Sequence, residues 1–151
     1  MAWTGHWITT EMDAWINLTT MKNWKDFTNA LELFGVPGQN IVYADIDGNI
    51  GWRPAVFVPI RREGFSMVPR PGHLSEYDWK GRVPYKDMPF LYNPPKGYIS
   101  TANNRTIDEG FPYYISGLWA DPSRAKRIDM RMKTDSLLTM KDMKSIQLDV
   151  T

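Results

Sequence analysis

The chain predicts an α+β fold, and three observations carry the prediction. A helical apolar period runs from Trp24 to Phe34, two strand-like runs flank Asp47-Gly48, and two later segments open with helix-capping residues at Asp121 and Thr139. With 151 residues and 42% hydrophobic content, the chain is the size of one ordinary domain and can bury a core.

Residues 2–10 are rich in Trp, Ile and Thr and predict a strand, although no neighbour for it is evident. Asn23, with Asp26 three residues on, predicts a helix start; Trp24, Phe27, Leu31 and Phe34 share one face, and Gly35 and Pro37 end it. The runs 41–46 and 49–53 predict a β-hairpin closed by a type I′ turn at Asp47-Gly48. Residues 54–97 hold eight of the eleven prolines and predict a long irregular segment that wraps over something or lines a site. A strand is predicted over 98–102. Asp121 as N-cap with Pro122 at the first helical position predicts a helix to about Lys133, and Thr139 with Asp142 predicts a capping box for another. An unpaired strand at one end and a helix running to the other give the expectation of a fragment of something larger.

Charge is nearly balanced, with 18 basic and 17 acidic residues, so no field draws in nucleic acid. No run approaches the roughly 18 apolar residues of a membrane span. Absent cysteine excludes disulfides and thiolate chemistry, and His6 and His73 alone make neither a metal cluster nor a catalytic triad. Asp45 and Asp47 lack the remaining spacing of a calcium loop and read as hairpin residues. No metal site is expected from this chain. Composition by itself favours a non-catalytic, aromatic-rich binding or structural module.

Chemistry enters at Asn103-Asn104, which follow the apolar run 98–102. A rigidly held carboxamide NH2 is a neutral donor suited to a developing oxyanion, and Arg124 stands on the next helix. Read alone, adjacent asparagines after a strand are a turn or cap, and an Arg in a first helical turn is a solvated charge or a partner for Asp121.

Five blocks in order change that balance: Asn40-Ile41-Val42-Tyr43-Ala44-Asp45-Ile46-Asp47-Gly48-Asn49-Ile50-Gly51; Tyr77-Asp78-Trp79-Lys80-Gly81; Tyr92-Asn93-Pro94 with Gly97-Tyr98-Ile99; Asn103-Asn104; and Trp119 five residues before Arg124. Together they resemble the penicillin acylase family of N-terminal-nucleophile amidohydrolases, in the central part of the β-chain. The resemblance covers essentially the whole sequence.

The resemblance implies that residues 1–151 are a single segment of a larger catalytic domain with the four-layer αββα N-terminal-nucleophile hydrolase fold. It implies an N-terminal serine that attacks an acyl amide, in a penicillin-type side chain or an N-acyl homoserine lactone, with its own α-amine as base. That serine is expected outside this chain, which alone is expected to be inactive. The implied catalytic residues are Asn103 as oxyanion donor and Arg124 as its orienting partner. Trp15 falls where some members place an aromatic wall of the acyl pocket, and Gln39 where those members have an aliphatic residue. Tyr113 and Tyr114 are expected to pack rather than to gate substrate. No cofactor is expected, although many members hold a structural calcium; the acidic ligand expected after the asparagine pair has no counterpart over 111–116. The implied partners are the amide substrate and the remainder of the α- and β-chains, and a fragment alone is expected to self-associate through unpaired strand edges. The compartment stays open, with periplasmic or secreted placement compatible with a longer parent.

Overall fold

The computed structural model describes residues 1–62, 68–133 and 137–150. The chain forms two compact units: Met1–Ile99 with Ile107–Gly117, and Ser100–Thr106 with Leu118–Thr151. The fold is α+β, with four α-helices and a three-stranded antiparallel sheet among the described residues.

The first unit opens differently from expectation. Residues 2–10 form no strand; Thr4–His6 is a 3-10 turn. The reason is aromatic packing. The Trp3 indole folds across Gly5, where an added Cβ would sit too close to the ring, and meets His6 edge-on at 5.3 Å. Trp7 turns to Trp79 at 5.6 Å. Residues that favour strands are thus spent on ring contacts, with no ladder available to pair with.

Helix α1, Glu11–Thr20, forms where the sequence carries no strong local helix signal. Only Ala14 of this helix is buried, so the sequence carries no wide apolar stripe. Its anchor is polar: the Glu11 carboxylate accepts from the Thr9 hydroxyl at 2.7 Å and from the N–H groups of Gly35 and Val36 at 3.1 and 2.9 Å. These bonds, led by Thr9, hold the carboxyl below its ordinary pKa.

Helix α2, Trp24–Leu31, starts as expected, with Asn23 Oδ1 accepting the Asp26 N–H at 2.9 Å. Its apolar face carries the core. Phe27 and Leu31 are essentially inaccessible, and Phe34 just beyond the helix joins them with Tyr43 and Ala55. Trp24 lies over Gly51 so closely that a Cβ there would overlap its ring. It also stacks on Phe27 and Tyr92 with centroids at 5.3 and 4.9 Å.

The expected hairpin is present as β1, Gln39–Ala44, and β2, Ile50–Ala55, in the register Tyr43 opposite Gly51. The turn is not type I′, which requires two positive φ values. Only Gly48 in this turn has one, at +85°, and the bonds from Gly48 N–H to Asp45 O and from Asp45 N–H to Asn49 O define a three-residue loop. Asp45 decides this choice: its carboxylate accepts the N–H groups of Asp47 and Asn49, an Asx arrangement that a two-residue loop would not offer.

The proline-rich segment folds back along the sheet. Val83 N–H donates to Val58 O at 2.8 Å and Ile60 N–H to Gly81 O at 2.9 Å, and β3, Leu91–Tyr92, pairs with β2. Beneath it Arg53 is only 6% exposed, donating to Tyr85 O at 2.7 Å with its guanidinium 4.2 Å over the Tyr85 ring.

In the second unit, helix α3 is Ser123–Met132 and helix α4 is Met140–Gln147. The capping box of Thr139 and Asp142 forms as expected. The Asp149 side chain, 7% exposed, accepts from Arg127 at 2.9 Å and Arg131 at 3.1 Å, tying the segment after α4 to α3. The strand expected over 98–102 is absent: the segment makes no ladder with any described strand, and a left-handed residue, Asn103, follows it.

Candidate active site

The second unit brings together two segments about twenty residues apart in sequence. Asn103 has a φ of +60°, in the left-handed region that most residues with a Cβ avoid and that asparagine tolerates. Its carbonyl oxygen accepts the Ala120 N–H at 2.9 Å, clipping this loop to the approach of α3.

Helix α3 begins immediately after that clip. The Asp121 carboxylate accepts the Ser123 N–H at 2.9 Å, and Lys126 N–H reaches Pro122 O at 2.8 Å, so Arg124 lies in the first turn. The Ser123 hydroxyl and N–H hold Asp121 below the ordinary carboxylate pKa. Asp121 is therefore occupied with its own helix start rather than with Arg124.

The Arg124 Nη2 donates to Ala102 O at 2.9 Å and to Asn103 Oδ1 at 2.9 Å. A guanidinium has donors and no acceptor, so the Asn103 atom facing it is the carboxamide oxygen. The NH2 is thereby turned away from Arg124, and among the described residues no acceptor occupies it. Cation and amide also work together. Charge on the oxygen side draws density through the amide and makes the far N–H groups better donors. The arrangement presents an oriented, solvent-accessible, neutral donor pair.

Asn104, which sequence reasoning left aside, is woven into the same loop. Its Oδ1 accepts the Ala102 N–H at 3.0 Å and its Nδ2 donates to Arg105 O at 2.9 Å.

Trp15 belongs to the first unit. It stands on α1 at 45% exposure with its ring edge against Phe34 at 5.6 Å. Gln39 opens β1 and is exposed. Tyr113 packs against the core of the first unit and donates to Asp87 at 3.3 Å, while Arg61 lies 5.5 Å over the Tyr114 ring. Among the described residues no three His, Asp or Glu side chains gather as a metal would need, and no helix is long and apolar enough to cross a membrane.

The family model described as penicillin amidase matches residues 1–151. An acyl-homoserine lactone acylase QuiP of Pseudomonas fluorescens is 36% identical over 117 residues, covering 78% of this chain and 14% of that protein. Penicillin G acylase of Escherichia coli is 32% identical over 143 residues, covering 91% of this chain and 16% of the relative. In three dimensions the chain resembles a thermostable penicillin G acylase from Alcaligenes faecalis with a TM-score of 0.74 at 25% identity, over 88% of this chain and 24% of that one. The chain thus spans about a seventh of the length of the curated relatives it matches.

Proposed function

Because the chain belongs to the penicillin amidase family, we propose that it is a central β-chain segment of an amidohydrolase that removes the acyl group from a linear amide, with Asn103 as oxyanion donor and Arg124 as the residue that orients it. The observation that carries this reading is the Arg124 bond to Asn103 Oδ1, which leaves the NH2 available to substrate.

In this reading a serine outside residues 1–151, placed by the remainder of the α- and β-chains, attacks the amide carbonyl carbon. Its α-amine, with a pKa of about 7.7 to 8.0, takes the hydroxyl proton. The carbonyl π-electrons move onto oxygen, and Asn103 Nδ2 donates to that oxygen as negative charge develops. Collapse breaks the C–N bond, the ammonium returns its proton to the leaving amine, and water releases the acyl group by the same steps in reverse order. Arg124 keeps the donor pointed at the site and adds positive potential without exchanging a proton.

Relatives carry the names acyl-homoserine lactone acylase and penicillin acylase, which supports a secondary amide bearing an acyl chain as the substrate class proposed. Trp15, half-exposed on α1, is proposed as one wall of the acyl pocket. In this reading the nucleophile is not among residues 1–151, and β1 has no ladder partner on its outer edge among the described residues. A preparation of residues 1–151 alone is therefore expected to show no turnover of a phenylacetyl or aliphatic anilide and to self-associate as concentration rises. Turnover by that chain, lost on Asn103→Ala, would refute the placement of the nucleophile elsewhere; a constant monomer mass in light scattering would refute the open edge.

A further inference from the structure

We infer that Asn104 is a positioning residue for the oxyanion donor, holding the backbone that aims Asn103; the inference rests on the role proposed for Asn103.

The geometry isolates one peptide stretch. Asn103 sits at φ +60°, a setting that asparagine tolerates without preferring, so its neighbours decide how firmly it is held. Asn104 holds it from both flanks. Its Oδ1 takes the N–H of Ala102, on the N-terminal side of Asn103, and its Nδ2 gives to the carbonyl of Arg105, on the C-terminal side. One planar carboxamide, with its acceptor and donor at a fixed separation, thus ties together the backbone on both sides of Asn103.

Two further bonds depend on the same peptide planes. Ala102 O takes Arg124 Nη2, and Asn103 O takes the Ala120 N–H. Rotating the peptide units on either side of Asn103 out of the left-handed setting would move both carbonyls together with the Asn103 side chain. The clasp therefore sets where Nδ2 of Asn103 points, while touching neither substrate nor serine itself. Ala102 is buried, and removing Asn104 takes from its N–H the acceptor that the structure gives it. That unpaired donor pushes the loop toward another conformation.

Such a role separates from ordinary loop stability in kinetics. Displacing a catalytic group by about 1 Å can cost about 100-fold in rate with substrate binding intact. In the complete enzyme, Asn104→Ala is expected to lower kcat about 10- to 100-fold with KM changed less than about twofold, and to weaken a boronate transition-state analogue in proportion to kcat. Asn104→Asp keeps the acceptor for Ala102 N–H and loses the donor to Arg105 O. Its kcat is expected to fall less, by about threefold to tenfold. If Asn104→Ala yields no folded protein, Asn104→Asp decides on the same terms. Wild-type kcat in Asn104→Ala or Asn104→Asp, alongside a crippled Asn103→Ala, overturns the positioning role and leaves Asn103 as donor. Equal losses in kcat and in the affinity of the ground-state product acid overturn it too, because they mark a general collapse of the site. An unimpaired Asn103→Ala instead overturns the reading on which the inference rests.

Discussion

Replacing Asn103 by aspartate in the complete enzyme is expected to lower kcat about 100- to 1000-fold while KM stays within about twofold. The substitution is nearly isosteric. One carboxylate oxygen keeps the place of Oδ1 against Arg124, and the charge strengthens that contact. What changes is the other atom: a double N–H donor becomes an oxygen that can only accept, facing the position where negative charge develops. The transition state loses a favourable contact and gains a repulsive one, whereas the ground-state amide, with a weaker demand on the donor, loses little. Asn103→Ala is expected to fall into the same range by a different route, since it removes the donor and leaves Arg124 with only its bond to Ala102 O. Activity of Asn103→Asp above a tenth of wild type would show that the carboxamide NH2 is not the donor.

The second large effect concerns the scaffold. Phe27→Ala is expected to destabilise the first unit by about 3 to 5 kcal/mol, seen as a lower midpoint of urea unfolding followed by tryptophan fluorescence. Phe27 is 1% exposed, stacks on Trp24 at 5.3 Å and meets Tyr43 at 5.2 Å, so truncation opens a cavity between α2 and the hairpin. Of these neighbours, the Trp24 ring is wedged against Gly51 and Tyr92 and can collapse only partly. A whole domain is stable by about 5 to 15 kcal/mol, so the variant sits near the edge of folding at 37 °C. A shift corresponding to less than about 1 kcal/mol would mean that α2 is not the centre of this core.

Which parts of this structure were legible in the sequence follows from the range of the interactions involved. Helix α2 and helix α4 are announced by caps that act within three residues, Asn23 to Asp26 and Thr139 to Asp142, and the structure forms both. The hairpin was legible for the same reason, but its turn type was not, because the Asp45 side chain outweighs the Asp-Gly preference. The strands expected over 2–10 and 98–102 failed because a strand needs a partner that composition does not name; Trp3 and Trp7 found rings instead. Helix α1 has no legible signal because it is anchored by the single carboxylate of Glu11 rather than by an apolar stripe.

At the candidate site, the sequence named Asn103 and Arg124 through a resemblance. Their 2.9 Å contact spans 21 residues, beyond what local pattern reveals. The part played by Asn104 was not legible at all, since nothing in an Asn-Asn pair says which member turns left-handed and which one clasps it.

The most direct measurement is a crystal structure of the complete enzyme with a boronate bound to its nucleophile, mimicking the tetrahedral intermediate. The expected result is a boronate oxygen about 2.7 to 3.1 Å from Asn103 Nδ2, with Asn103 Oδ1 still on Arg124. An oxygen held by other donors while the Asn103 NH2 faces solvent would contradict the account.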